Sequence, residues 1–302
     1  MNGLGLEQQK PSLPYNPQDY LSGMVQLPPW LRYKRQQFYA YAFDATPNTP
    51  VNQQQAVTLE GDSFFLLEGI NILSRTITDS DLNTLKISFS DTSKGVNWSP
   101  NSIVFPNVSG RGDCTKYLSH PTLFKPSSTL LYSINQSTGS VYGSLIGRKI
   151  FGLSRDEANF SMKRIWYQYD ILIGPLAYSS SNYFPVQTAN DSDFYFYKFY
   201  SAEGIYYSKT YAPLLMTLRD ATTNKNIFNN QTDVQTFTGQ QYGLSPTVTA
   251  GTLTGKGLSF SVPRLIRRNS TLIVDVTNTS IVSSDPDFGP ANFTLEGVRV
   301  FD

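Results

Sequence analysis

Four segments of this sequence occur twice, in the same order. Lys34-Arg35-Gln36-Gln37-Phe38-Tyr39-Ala40-Tyr41 returns as Lys163-Arg164-Ile165-Trp166-Tyr167-Gln168-Tyr169, and Leu85-Lys86-Ile87-Ser88-Phe89-Ser90-Asp91 returns as Leu214-Leu215-Met216-Thr217-Leu218-Arg219-Asp220, both read at an offset of 129. Pro121-Thr122-Leu123 through Leu130-Leu131 returns 142 positions on as Pro263-Arg264-Leu265 through Leu272-Ile273. Leu145-Ile146-Gly147 through Phe151 returns 150 positions on as Leu295-Glu296-Gly297 through Phe301. The order is kept and the offset only grows, as a tandem duplication with longer loops in the second copy requires. The unit is about 120 residues, far longer than a solenoid repeat.

Each copy reads as strands. Leu85, Ile87 and Phe89 alternate with Lys86, Ser88 and Ser90 at period two, so one face is apolar and the other polar. Phe38 to Phe43 and Phe64 to Leu67 are apolar on both faces, which suits strands covered on two sides. Turn-rich pieces such as Pro47-Asn48-Thr49-Pro50 and Gln136-Ser137-Thr138-Gly139 separate these runs. Aromatic residues make up 14% of the chain, a balance that favours pleated surfaces over helices. No convincing helix is expected beyond a turn near Ser80 to Thr84. The fold expected is all-β: two tandem, duplicated, jelly-roll-like antiparallel β-sandwiches, with Leu85, Ile87, Phe89, Met216 and Leu218 inside.

The division along the chain follows. Residues 1–33 form an extended Pro-rich arm, 34–152 the first sandwich, 153–162 a linker and 163–302 the second sandwich with longer loops. Pro11, Pro14, Pro17, Pro28 and Pro29 hold the arm extended and remove donors. Leu27, Pro28, Pro29, Trp30 and Leu31 are too apolar to prefer water, so the arm is expected to lie on a neighbouring subunit. Asp193 to Ser201 is the most aromatic strand, and strict alternation puts Tyr195, Tyr197 and Phe199 on one face, which a partner is expected to cover.

Composition excludes several chemistries. A net charge of +1 with only 16% charged residues leaves no concentrated basic surface for nucleic acid. The one cysteine, Cys114, allows no internal disulfide, and the one histidine, His120, allows neither a His-rich zinc site nor an obvious catalytic base. His120 has Val262 as its counterpart in the second copy, which marks it as structural. Glu60 with Asp62, Asp79 with Asp81, Asp191 with Asp193 and Asp285 with Asp287 are carboxylate pairs in turn-like sequence, where such residues serve the turn. Arg111-Gly112-Asp113 spells an adhesion tripeptide, but Gly-Asp is ordinary turn sequence. Neither a cofactor nor a metal is expected, and no enzyme activity. No apolar stretch reaches membrane-spanning length and no leader-like start is present, so the chain is expected to be soluble and made in a cytoplasm.

The closing segment Pro263-Arg264-Leu265 through Asn278, followed by Phe293 through Phe301, is similar to the last strands of β-sandwich virion proteins of bacteriophages. With its duplication and arm, the chain from 34 to 302 resembles double jelly-roll capsid proteins, which form trimers of hexagonal outline, or the decoration and minor capsid proteins of tailed phages. The resemblance lies in architecture and a loose strand motif, and it carries over no functional residue. It implies a virion location, with copies of the same chain and other virion proteins as partners. The alternative is a carbohydrate-binding or receptor-binding sandwich, with Trp98, Tyr178, Tyr183 and Tyr242 as a stacking platform for a glycan.

Overall fold

The computed structural model describes residues 31, 33–45, 54–74, 86–104, 110–111, 116–135, 141–173, 176–177, 179–200, 214–228, 230–233, 258–279 and 291–302. Leu85, the turn at Ser80 to Thr84 and the arm up to Trp30 lie outside these residues.

The first half forms strands β1 (Gln36–Ala45), β2 (Gln55–Thr58), β3 (Phe64–Ser74), β4 (Lys86–Asp91), β5 (Val96–Asn97), β6 (Ile103–Val104), β7 (Gly110–Arg111), β8 (Lys116–Phe124), β9 (Thr129–Ile134) and β10 (Val141–Ile150). Helix α1 (Arg155–Met162) follows. The second half forms β11 (Arg164–Ile173), β12 (Ser181–Gln187), β13 (Asp193–Tyr200), β14 (Leu214–Asp220), β15 (Lys225–Asn226), β16 (Thr232–Asp233), β17 (Leu258–Ile266), β18 (Thr271–Asn278) and β19 (Ala291–Val300).

These strands make four sheets. One has the order β1-β10-β3, with β8 and the short parallel β7 beside β3; its partner has β2-β9-β4, with β5 and β6 on β4. The second half repeats both, as β11-β19-β13-β17 and as β12-β18-β14 with β15 and β16 on β14. In each half the chain passes back and forth between two facing sheets in the course of a jelly roll. The fold is all-β and duplicated: β1 corresponds to β11, β3 to β13, β8 to β17 and β10 to β19, while β7 has no counterpart among the described residues of the second half.

The ladders also fix the register of the duplication. Tyr39 faces Gly147 and Tyr167 faces Gly297 across their strand pairs. Phe151 N–H donates to Arg35 O, and Phe301 N–H donates to Lys163 O. Tyr39 therefore matches Tyr167, and Tyr41 matches Tyr169, 128 positions apart. The basic doublets Lys34-Arg35 and Lys163-Arg164 are thus out of step by one residue, which corrects the offset read from them.

Alternation places the core as expected for β4 and β14. Ile87 and Phe89 are buried in the first sandwich, and Met216 and Leu218 in the second. Each strand ends on a buried aspartate that closes the next turn: Asp91 Oδ1 accepts from Ser93 N–H at 2.9 Å, and Asp220 Oδ1 accepts from Thr222 N–H at 3.0 Å. A short polar side chain bonded two residues on pre-forms such a turn.

Strict alternation fails in β3 and β13. Both carry a bulge at the same place, Glu68 in the first copy and Tyr197 in the second, each left over between paired residues. One extra residue reverses the phase of everything after it. Phe194 and Phe196 are buried before the bulge, and Phe199 is 0% exposed after it, stacked on Phe293 with ring centroids 5.6 Å apart. Phe199 therefore leaves the face of Tyr195 and Tyr197 and joins the core, contrary to the sequence expectation.

The bulge sits against a glycine in each copy. A Cβ on Gly147 would lie 2.0 Å from Leu66 O, and one on Gly297 would lie 2.2 Å from Tyr195 O, so no side chain fits without moving the backbone.

Helix α1 was not anticipated, because eight residues are too few to show a period. Its start is nonetheless written in sequence. Ser154 Oγ accepts from Glu157 N–H at 3.3 Å while the Glu157 carboxylate accepts from Ser154 N–H at 2.8 Å, a capping box. Ala158 packs with Leu31, Leu66, Leu123 and Ile150, covering the outer side of β3 and β8. Leu31, expected on a neighbour, is 1% exposed and is held in this cluster of its own chain.

Candidate assembly surfaces

A cation closes the same corner of each sandwich. Tyr39 and Tyr41 lie 4.9 Å apart, and Tyr41 meets Phe65 edge to face; Tyr167, Tyr169 and Phe194 repeat the arrangement. Tyr41 OH accepts from Glu60 N–H and Tyr169 OH from Ala189 N–H, both at 3.0 Å, tying the turn before β3 or β13 to the sheet. The Lys149 ammonium sits 4.4 Å over the Tyr39 ring and pairs with Glu60 and Asp62; the Arg299 guanidinium sits 4.7 Å over the Tyr167 ring and pairs with Asp191.

The titration of these groups follows. The bond from Lys149 holds the Glu60 carboxyl below its ordinary range, and the same contact raises Lys149. Partial burial opposes ionisation of Asp191, but the Arg299 guanidinium outweighs it and holds that carboxyl low as well. Two of the four carboxylate pairs are thereby engaged: Glu60 and Asp62 bind Lys149, while Asp191 binds Arg299 and Asp193 pairs with Arg267 at 2.9 Å. Asp79 with Asp81 and Asp285 with Asp287 lie outside the described residues. Among the described residues no group of three or more His, Cys, Asp or Glu could hold a metal ion. His120 is buried, and burial followed by the nearby Arg164 charge pushes its pKa down to about 3, so it is neutral at physiological pH.

The two sandwiches meet through edge strand β11. Trp166 is 1% exposed and joins the core of the first sandwich, where it meets Trp98 edge to face at 5.9 Å. Trp166 N–H donates to Thr122 Oγ1 at 3.1 Å, and Gln168 N–H donates to Trp98 O at 2.9 Å. Glu296 Oε1 accepts from the Trp166 indole and from Ser119 N–H, each at 3.0 Å. These bonds, made away from water, make the contact directional as well as apolar, although the Trp98 indole N–H and Ser119 Oγ take no hydrogen-bond partner among the described residues. Sequence reading missed this junction. The signal available was asymmetry: Trp166 and Glu296 stand where the first copy has Phe38 and Ile146.

The corresponding face of the first sandwich is open. Phe38 is 69% exposed on edge strand β1, next to Ala40, with Ile146 and Tyr142 on the neighbouring β10; Tyr33 is also exposed. The double-sided cover expected for Phe38 to Phe43 is absent among the described residues: Tyr39, Tyr41 and Phe43 turn toward the core and Phe38 and Ala40 turn away from it.

Of the expected contact residues, Leu27, Pro28, Pro29 and Trp30 lie outside the described residues. Tyr195 and Tyr197 are half-buried, and burial pushes the Tyr197 hydroxyl up to about 12. In the glycan platform, Trp98 is buried and stacked on Phe89 at 4.7 Å, so it presents no ring to a sugar. Tyr183 is exposed, while Tyr178 and Tyr242 lie outside the described residues. Of the adhesion tripeptide only Arg111 is described, in β7. No helix among the described residues is long and apolar enough to cross a membrane.

No family model matches the chain, and no curated protein matches it. Among solved structures it is similar to VP54 of PBCV-1, fitted into a reconstruction of the virophage Sputnik, with 8% identity over 90% of this chain and 96% of that one and a TM-score of 0.45. The STIV MCP matches at 8% identity over 88% and 97% of the two chains, with a TM-score of 0.42. PNGase F of Flavobacterium meningosepticum, a glycosylasparaginase, matches at 8% identity over 88% and 96%, with a TM-score of 0.36. These overlaps are loose, and the fold rests on the strand order described above.

Proposed function

We propose that this chain is a non-enzymatic virion structural protein of a bacteriophage, which assembles with copies of itself in the capsid shell or as a capsid-bound decoration or minor capsid protein. The observation that carries the reading is the pair of sandwiches joined by a buried, hydrogen-bonded junction at Trp166 while the matching face at Phe38 stays open. A duplicated unit that buries one such face and exposes the other is built to continue the same contact with further units. Low charge density suits this role, since few ions need desolvation when surfaces meet. The units taken are residues 34–152 and 163–302, with 153–162 joining them and 1–33 as an arm whose part before Leu31 is laid on a neighbour. A trimer is the expected assembly, and the virion its location.

The reading as a carbohydrate-binding or receptor-binding sandwich loses support with Trp98 buried, and among the described residues of its platform retains Tyr183 as an exposed ring.

Light scattering on the full chain and on a chain lacking residues 1–30, which spares the buried Leu31, tests the proposal. A trimer or larger assembly that weakens without the arm is expected. A monomer unaffected by the truncation overturns the reading, and binding on a glycan array by that monomer replaces it.

A further inference from the structure

We infer that the junction between the two sandwiches is an acid-operated release: protonation of His120 sets a second positive charge against Arg164 across the contact and lets the sandwiches part while each stays folded. The contact lies within one chain, so this holds whether or not copies of the chain assemble.

The two groups stand on opposite sides of the junction. Along residues 117–124, β8 is the outer strand of its sheet, since β7 pairs with β3 only at Asn71 and Ile72. The second sandwich covers that edge. Thr122 Oγ1 accepts the Trp166 N–H and Ser119 N–H donates to Glu296, so His120, between them on β8, is buried at the contact. Arg164 opens β11, the strand laid against β8, and its charge acts on the imidazole from the other sandwich.

Both residues are peculiar to this contact. The ladders match Arg164 with Gln36 and Thr122 with Arg264, which places His120 opposite Val262 in the duplication. The equivalent edge strands therefore carry no such pair. Phe38 on β1 and Leu265 on β17 are exposed, so the imidazole and the guanidinium occur on the edges that cover each other and not on those that face water.

The other charges on the surrounding elements are engaged or exposed. Glu68 of β3, opposite residues 118–121, pairs with Arg148 of β10 at 3.2 Å, and Glu157 of α1 pairs with Lys34 at 3.0 Å. Burial raises the Glu68 carboxyl, so its uptake of a proton relieves a buried charge and does not open the contact. Arg299 of β19 pairs with Asp191, and Asp170 of β11 accepts the Thr294 hydroxyl. Glu296 holds the Trp166 indole and Ser119 N–H, Tyr197 near Arg164 is kept neutral by burial, and Arg155, Asp156 and Lys163 are exposed.

The sign follows from where the proton goes. Closed, the imidazole is held down to about 3, first by burial and then by Arg164; freed, it returns to about 6.5. Between those values the parted state binds one more proton than the closed one. The closed state is favoured in full above about pH 6.5 and loses up to about tenfold in population ratio per pH unit below it. Unfolding gains the same proton, but parting gives up the junction alone and leaves both cores closed, so acid reaches it first.

Hydrogen exchange on the full chain, dilute enough to be dissociated, tests this from about pH 7.5 to about pH 4.5, with rates corrected for their intrinsic pH dependence. The Trp166 and Gln168 amides, which donate across the junction, are expected to lose protection by roughly tenfold per pH unit below about 6.5, while β4, β9, β14 and β18 keep theirs. His120→Val, which copies the second sandwich, is expected to abolish that dependence, and Arg164→Gln, which copies the first, to leave the two amides better protected in acid than in the natural chain. Protection lost at the junction and the cores together, or kept at every pH, overturns the inference. So does an acid loss that survives His120→Val and disappears in Glu296→Gln, which makes the carboxylate the sensor. If His120→Val does not fold at neutral pH, Arg164→Gln decides: an acid loss equal to that of the natural chain overturns the inference. Each of these failures leaves self-assembly standing, because light scattering decides it separately.

Discussion

Trp98 and Trp166 meet edge to face across the junction of the two sandwiches, with ring centroids 5.9 Å apart, and each is almost wholly buried. Truncating Trp166 removes the ring and leaves Glu296 without its indole donor, so Trp166→Ala is expected to cost about 3–5 kcal/mol in urea unfolding. Phe38 occupies the same position in the other copy but faces water, and Phe38→Ala is expected to stay within about 0.5 kcal/mol in the dissociated chain. Comparable costs at the two positions would mean that the open face is closed within the chain.

His120 makes the fold sensitive to acid. Above its ordinary pKa of about 6.5 the imidazole is neutral whether the chain is folded or not, and its contribution is fully present. Below that pH the unfolded chain takes up a proton that the folded chain refuses until its own pKa of about 3. Stability therefore falls as pH drops through this window, by at most about 1.4 kcal/mol per pH unit. His120→Val, which copies the second sandwich, is expected to flatten the profile between pH 6.5 and the folded pKa. Chemical unfolding across that range reads the slope, and an unchanged slope would remove His120 as its source.

The extent to which the fold could be read in advance follows from where its signals sit. The duplication, the all-β class and the inward set of Ile87, Phe89, Met216 and Leu218 depend on local period-two alternation and on matched segments, which a sequence displays directly. The phase error at Phe199 comes from a bulge, and neither Glu68 nor Tyr197 is a residue type that announces one. Trp166 lies in β11, but its burial depends on the first sandwich arriving at its edge, information that no local pattern contains. Of the carboxylates read as turn residues, Glu60, Asp62 and Asp191 precede β3 and β13 while Asp193 opens β13 itself, and the cations that hold the first three, Lys149 and Arg299, come from a strand near the far end of each repeat.

The glycines opposite the bulges should be intolerant in both copies. A Cβ at Gly147 meets the carbonyl oxygen of Leu66, and one at Gly297 meets that of Tyr195, so relief requires the bulged backbone to shift. Gly147→Ala and Gly297→Ala are each expected to cost about 1–3 kcal/mol, as overpacking in a closed core does. Gly95, whose Cβ would meet nothing, has a positive φ of 63° and so tests the other cause of glycine preference. Its replacement by Asn, which tolerates that conformation, should be milder than either alanine. Thermal midpoints of the three variants give the ranking.

The bulge in β13 leads to a final contrast between neighbours that strict alternation would have placed together. Phe199 is enclosed by the second core and stacks on Phe293, so Phe199→Ala opens a cavity and is expected to cost about 3–5 kcal/mol. Tyr195 lies on the opposite, half-buried side, before the bulge, and Tyr195→Ala is expected to cost no more than about 1 kcal/mol in the dissociated chain. Deleting Tyr197 removes the extra residue itself and should push Phe199 toward the outer face, with a loss of stability at least as large as that of Phe199→Ala. Urea midpoints rank the three. If Tyr195→Ala proved the most damaging, the phase reversal would be wrong and the aromatic side chains of this strand would have to be reassigned between its two faces.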